Sequence, residues 1–198
     1  MSFSAFKYAK LSDEELVIHL GRGRAAACDE LYRRYHARFL HYFLRMLNND
    51  QDKAQDFLQE LFLKIIQTAE KFNTSGRFST WAYTVAHNMC CNEYRRLEVR
   101  QKTLSDITAE PLNNTGSHPL EKRLDNQVFK QALFNELSTL DQNKRSTFLL
   151  RYQEGFSLKE VSAILDCSVG TVKSRLFYIT RHLAARLQAF DPCQEGDA

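Results

Sequence analysis

Residues Ser168–Phe190 read SVGTVKSRLFYITRHLAARLQAF and carry Lys173, Arg175, Arg181 and Arg186 without a single acidic residue. The whole chain of 198 residues has a formal net charge of only +3, so this positive charge is local. Immediately upstream, Ser157–Ser168 reads SLKEVSAILDCS, a short helix opened by a capping box in which Ser157 faces Glu160. It stops at the three-residue turn Asp166-Cys167-Ser168. Short helix, tight turn and basic second helix together predict a helix-turn-helix, whose second helix is suited to a DNA major groove.

On a helical wheel, Val172, Leu176, Ile179 and Leu183 share one face at the 3.6-residue period of a packed helix. Gly170, Thr171, Lys173, Ser174, Phe177, Tyr178 and Arg181 are left pointing outward. Ser168 can cap the free N–H groups, which leaves the positive end of the helix dipole near a phosphate. Lys173 and Ser174 suit phosphate or base-edge contacts, and Thr171 and Phe177 can touch a thymine methyl. An ordinary amphipathic surface helix would share the periodicity. It would not explain why the turn, both caps and the charge segregation coincide.

With 43% hydrophobic residues the chain can bury a real core in one or two domains, and two are expected. Apolar residues recur at helical spacing along most of the length and no sustained period-two alternation appears, which predicts an all-α protein. Ser, Thr, Asn, Pro and Gly cluster between Arg100 and Leu120, most densely in Pro111–Pro119 (PLNNTGSHP), which reads as a tether. This divides the chain into an N-terminal domain over 1–100, a flexible linker over 101–119, a C-terminal domain over 120–190 and a tail over 191–198. Residues 1–101 hold 15 basic and 12 acidic side chains and residues 119–191 hold 11 and 8, so each half is +3. Neither half is a polybasic arm; a patterned basic face on each favours specific docking over indiscriminate binding of polyanions.

The N-terminal MSFSAFKYAKLSDEEL lacks the long apolar core of a signal peptide and no apolar run is long enough to span a bilayer, so a cytoplasmic protein is expected. Five cysteines show no CxxC pair, which favours reduced thiols. His87, Cys90 and Cys91 share a helical face and could in principle ligate a metal. No fourth ligand can be named, small cysteines often fill a core, and no metal or cofactor is expected.

In the N-terminal half, Ser12–Glu15 forms a second capping box, starting a short helix that Gly21 can end through a left-handed residue. A helix from about Ala25 to Met46 follows, with Leu31, Tyr35, Phe39, Tyr42, Phe43 and Met46 directed mainly inward. The next, from Asp52 to about Ala69, places Ala54, Phe57, Leu58, Leu61, Phe62 and Ile65 on a core face. Asp56, Gln59, Glu60 and Leu63 lie outside that face, which fits either a protein interface with charge complementarity or a solvated helix with one stray leucine. The polar loop Lys71–Phe78, with an aromatic at each end, then leads into a helix from Ser79 to about Arg96. That helix carries Trp81, Tyr83, Asn88, Asn92, Tyr94, Arg95 and Arg96. Aromatic rings, amides and arginines are the tools for holding single-stranded nucleic acid. Trp81 is the only tryptophan, and a buried structural role suits it equally well.

Taken together, the two halves resemble an extracytoplasmic-function (ECF) sigma factor of bacterial RNA polymerase. Ala54–Leu63 (AQDFLQELFL) is similar to the core-binding part of that family's region two. Phe72–Trp81 (FNTSGRFSTW), Val85–Asn88 and Tyr94–Arg96 resemble its promoter-melting and minus-10-reading parts. Leu137–Leu140, Arg145, Phe148–Leu150, Gly155, Glu160 and Val169–Leu176 resemble region four, which reads the minus-35 element. The likeness spans roughly residues 10–187. Asp141 stands where a proline is common, Tyr178 occupies an exposed position that is often basic, and the tether carries only Asp106 and Glu110 as acids.

The resemblance implies that Asp56, Gln59, Glu60 and Leu63 dock on the clamp helices of the largest polymerase subunit, with region four on the flap of the second largest. Ser168, Thr171, Lys173, Ser174, Arg175, Phe177, Tyr178 and Arg181 would hold the minus-35 duplex. Phe72, Asn73, Thr74, Ser75, Arg77, Phe78, Trp81, Tyr83, Asn88, Asn92, Arg95 and Arg96 would serve the minus-10 region. There the Phe72–Arg77 loop and Asn88 capture a flipped base of the non-template strand, while Arg95 and Arg96 grip phosphates. Such capture offsets an unstacking cost of roughly a few kcal/mol, so melting is driven by binding and not by ATP. A dedicated anti-sigma protein is a further implied partner and would give the only, indirect, link to a membrane. No small-molecule substrate is implied.

Two other readings compete. A plain helix-turn-helix regulator with a sensory N-terminal half would need a ligand pocket or phosphoacceptor site in residues 1–100, and no strand-helix alternation or suitable acidic cluster is visible. An enzyme would need convergent Asp, Glu, His or Ser residues at motif spacing, and no GxSxG, HExxH or phosphate-binding glycine loop occurs.

Overall fold

The computed structural model describes residues 8–73, 75–104 and 124–190. Thr74, the linker beyond Leu104 with Asp106 and Glu110, and the 191–198 tail lie outside the described residues. Among the described residues there are eight α-helices and no strand. The helices are α1 (Asp13–Gly21), α2 (Ala25–Met46), α3 (Gln51–Thr68), α4 (Phe78–Leu104), α5 (Leu124–Thr139), α6 (Gln142–Phe148), α7 (Leu158–Ile164) and α8 (Val169–Arg186).

Local chemistry sets the helix starts. Ser12 and Glu15 form the expected capping box, with Glu15 N donating to Ser12 Oγ at 3.2 Å and Ser12 N to Glu15 Oε2 at 2.7 Å. Asp50 caps α3 by accepting from Lys53 N at 3.0 Å. Asp141 does the same for α6 through Lys144 N at 2.9 Å, so the acid that replaces a common proline has its own local job.

Gly21 departs from expectation. It is the last residue of α1, and the left-handed conformation falls on Gly23 at φ +75°. What Gly21 supplies is proximity: a Cβ there would meet the Glu70 backbone at 3.2 Å, where the 3-10 turn Ala69–Lys71 crosses α1. Helix α4 starts one residue earlier than expected and runs to Leu104, past the boundary placed at residue 100.

Helices α1 to α4 pack around an aromatic core in which Phe39, Tyr42, Phe43, Phe78 and Tyr83 are fully buried. Each such ring contributes about 1.5–3 kcal/mol by leaving water. Phe57, expected in the core, is half-buried and meets Phe43 edge-on at 5.5 Å.

The C-terminal helices do not stand apart from this core. Leu137, Leu149, Leu150, Phe156, Val161, Ile164, Val172, Ile179 and Leu183 continue the same buried cluster, and α7 lies directly against α4. After α6 the chain takes a π-helical turn over Leu149–Gln153, and Gly155 then adopts φ +78°. The reversal sends Glu154 and Phe156 together onto α4, where the Phe156 ring meets Tyr83 edge-on at 5.1 Å.

Candidate nucleic-acid and partner interfaces

The expected helix-turn-helix is α7, a turn with Asp166 at φ +46°, and α8. Ser157 N donates to Glu160 Oε2 at 2.9 Å and Glu160 N to Ser157 Oγ at 3.3 Å, completing the second capping box. Ser168 accepts from Thr171 N at 3.0 Å, capping α8. Val172, Ile179 and Leu183 are buried and Leu176 is half-buried, so the wheel reading of the inner face holds. Ser168, Lys173, Ser174, Phe177, Tyr178 and Arg181 are exposed; the Phe177 and Tyr178 rings stand edge to face at 5.5 Å. Arg175 differs: it is half-buried, and its Nη1 donates to Cys167 Sγ at 3.8 Å.

In the loop before α4, Asn73 Oδ1 accepts from Ser75 N at 3.0 Å and from Ser75 Oγ at 2.8 Å, and Gly76 N donates to the Asn73 carbonyl at 3.0 Å. The turn is therefore built around Asn73, with Asn73, Ser75 and Arg77 exposed. The aromatics at its ends turn inward. Phe72 and Trp81 are half-buried with rings 5.2 Å apart, Phe78 is fully buried, and the Phe78 N–H donates to Glu14 Oε1 at 2.9 Å.

Tyr83, named with the single-strand contacts, is fully buried: Phe156 covers its ring and its hydroxyl donates to Glu154 Oε2 at 2.5 Å. In this arrangement neither Phe78 nor Tyr83 presents a face to a base. Asn88, Asn92, Arg95 and Arg96 are exposed along α4. Arg95 Nη1 donates to Asn92 Oδ1 at 3.0 Å, and Arg96 pairs at 2.9 Å with Glu93, which also pairs with Lys53 at 3.0 Å.

His87 and Cys91 lie on the buried side of α4 with Nε2 and Sγ 3.3 Å apart. Burial, reinforced by the Arg175 guanidinium, pushes the His87 imidazole down to about 4. Burial raises both the Cys90 and the Cys91 thiols, so they are neutral core groups at neutral pH. Among the described residues no group of three or more His, Cys, Asp or Glu could hold a metal ion.

On α3, Asp56, Gln59, Glu60 and Leu63 are all exposed, and Leu63 keeps 57% of its surface in water. Ile66, at 45%, extends the stripe by one turn, and Tyr32 of α2 adds a third exposed apolar group, its ring 4.9 Å from Phe62. Sequence reasoning missed both. Ile66 stands at i+3 from Leu63 and was open to the same periodicity argument, whereas Tyr32 belongs to another helix.

Comparison with known proteins agrees with this geometry. Residues 31–100 match the model of Sigma-70 region 2, and residues 130–183 match that of Sigma-70, region 4. The RNA polymerase sigma-H factor of Pseudomonas aeruginosa is 30% identical over 183 residues, covering 89% of this chain and 94% of that protein. The ECF RNA polymerase sigma-E factor of Haemophilus influenzae is 28% identical over 187 residues, covering 90% and 97%.

The chain belongs to the ECF sigma factors. This sigma factor directs RNA polymerase in transcription, so a regulator with a sensory N-terminal half is the weaker account of the same helix-turn-helix. Its fold is similar to the sigma factor RpoE of Bartonella quintana, solved with the anti-sigma factor NepR. The TM-score is 0.60 at 25% identity, over 75% of this chain and 89% of that one. No described helix of the sigma factor is long and apolar enough to cross a membrane.

Proposed function

We propose that this sigma factor docks on core RNA polymerase through the α3 stripe Asp56, Gln59, Glu60, Leu63 and Ile66, then reads a promoter at two places. Helix α8 enters the major groove of the minus-35 element with Lys173, Ser174, Phe177, Tyr178 and Arg181, and Ser168 and Thr171 position its N-terminus against a phosphate. Arg175 joins them once it leaves its place beside Cys167. The observation that carries the reading is α8 itself: capped at its start, free of acids, and exposed on the face that bears these groups.

At the minus-10 element the work falls to Asn73, Ser75, Arg77 and Asn88, with Asn92, Arg95 and Arg96 on the adjacent backbone. Phe72 and Trp81 brace the loop from beneath, and Phe78 anchors it. Binding a base that has left the stack offsets roughly a few kcal/mol of unstacking, so strand opening needs no bound nucleotide and no catalytic residue. An anti-sigma protein is a proposed partner, supported by the Bartonella relative that was solved with one.

Permanganate footprinting tests the melting step. With core polymerase present, thymines near the minus-10 element become reactive without ATP hydrolysis. The double variant Asn73→Ala, Asn88→Ala lowers that reactivity while the minus-35 footprint persists. Equal reactivity in the variant would remove these residues from the base-capture role.

A further inference from the structure

Glu93 is an acid set beneath a basic surface. It lies on α4 beside the exposed Asn92 and Arg95, yet its own side chain is only 6% exposed. Its Oε2 meets Arg96 Nε at 2.9 Å, and its Oε1 meets Arg96 Nη2 and Lys53 Nζ, each at 3.0 Å. Burial raises the carboxyl, but the bonds from Arg96 and Lys53 outweigh it and hold the group below its ordinary range, so the acid is charged at neutral pH.

The two cations face outward from this buried anchor. The Arg96 side chain is 69% exposed and that of Lys53 31%. Because Arg96 Nη2 and Lys53 Nζ share one oxygen at 3.0 Å each, they stand no more than about 6 Å apart, close enough for the two free oxygens of a single phosphate to meet both. Glu93 takes two of the five N–H donors of Arg96 and one of the three of Lys53, so donors remain for a second acceptor. An ion pair whose only use was to tie α3 to α4 could give way to packed apolar groups at little cost. Here the three charges sum to +1, and the excess faces water next to Arg95. Asp50 is engaged in capping α3, and Asp52 adjoins Lys53 in sequence and so faces another way around the helix.

We propose that Lys53, on the helix assigned above to polymerase docking, is also a DNA contact: with Arg96 it clamps one backbone phosphate beside the minus-10 element, and Glu93 is the positioning residue that holds the two cations together. The clamp rests on the promoter reading of α4 given above and adds a second helix to the DNA-facing surface. A phosphate contact of this kind fixes where the strand runs and carries no sequence preference of its own.

Fluorescence anisotropy of a labelled promoter fragment bound by the holoenzyme, between about 50 and 200 mM potassium chloride, tests the clamp. Lys53→Met should weaken binding to different promoters alike and flatten the slope of log K against log salt, by about 0.9 for a duplex phosphate or about 0.7 for one on a separated strand. Lys53→Arg should restore the slope. Glu93→Gln decides the role of the acid by sign. It makes the surface more positive, so a carboxylate that merely neutralised the cations would, on removal, give tighter binding, whereas loss of a positioning carboxylate should weaken binding by about threefold to tenfold. Should Glu93→Gln lose its helical circular dichroism, the Lys53 variants carry the test alone. Wild-type slope and affinity in Lys53→Met overturn the clamp. So does a loss of co-purification with core polymerase in that variant, which would place Lys53 in the polymerase interface instead. Unchanged or tighter binding by a folded Glu93→Gln overturns the positioning role. Promoter-specific binding by the wild-type holoenzyme is scored first: its absence sinks the promoter reading, whereas the clamp is judged by variants measured against a wild type that binds.

Discussion

The guanidinium of Arg145, near the start of the C-terminal unit's second helix, donates through Nη1 to the main-chain carbonyl of Met46 at 3.1 Å, ninety-nine residues away in the chain. Met46 ends α2, where the last carbonyls lack intrahelical partners and carry the negative end of the dipole. The same guanidinium donates to Leu137 O at 3.0 Å, Leu140 O at 3.3 Å, Asn48 Oδ1 at 2.8 Å and the Tyr94 hydroxyl at 2.9 Å, and also to Ser138 O. One buried side chain thus satisfies the ends of two helices at once.

Replacing Arg145 with Ala removes this whole fan of donors, leaving Met46 O only the Tyr94 hydroxyl and Leu137 O only the Leu140 N–H, and should lower unfolding stability by about 3 kcal/mol in urea titration at neutral pH. Arg145→Lys should recover less than half of the loss, because an ammonium offers three donors without the planar fork. Full recovery by lysine would mean that charge alone, and not directional bonding, matters here.

Acid should weaken the fold in a defined window. His87 ordinarily titrates near 6.5, but burial and the nearby Arg175 hold it at about 4 in the folded chain. Between these values the unfolded chain binds a proton that the folded chain refuses. Stability is therefore fully present above about 6.5 and is lost as pH falls toward 4, by up to about 1.4 kcal/mol per pH unit. A His87→Leu variant should flatten that slope. A second loss belongs lower: the Glu30 carboxyl, bonded to Arg33 and Arg34, is held at about 2, so its contribution disappears only from about 4.5 downward. Urea midpoints measured from pH 7 to 3 separate the two windows.

The exposed stripe of α3 predicts that Asp56→Arg with Leu63→Glu weakens co-purification with core polymerase while leaving the thermal midpoint within about 2 °C, since both side chains already face water. Undiminished co-purification would reassign the polymerase contact to another surface. Ile66→Glu should act in the same direction.

Ser174→Glu introduces a negative charge on the exposed face of α8 and should reduce occupancy of the minus-35 element by a factor corresponding to about 1–3 kcal/mol, read by footprinting of the holoenzyme. Identical footprints would show that Ser174 lies outside the groove.

Much of this was legible along the chain because it is written in short-range chemistry. Ser12 with Glu15, Ser157 with Glu160, and Ser168 with Thr171 are neighbours in sequence, and each pair forms as its spacing requires. The inner face of α8 obeyed the helical period for the same reason. The burial of Tyr83 was not legible in the sequence because its cover, Phe156, arrives from seventy-three residues downstream after the π turn and Gly155, and nothing local announces that meeting. One signal was available: Tyr83, His87 and Cys91 recur at i, i+4 and i+8, a second buried stripe on α4 that a helix with one packed face would not need. The role of Arg145 had no periodicity to reveal it, because its acceptors are backbone atoms from opposite ends of the fold.

The most direct measurement is run-off transcription with purified chain and sigma-free core polymerase on a library of promoter fragments. The predicted result is start sites that share two spaced upstream elements, formed only when both proteins are present. Tight, sequence-specific binding of duplex by the chain alone, with no promoter-specific transcript on adding polymerase, would contradict the account.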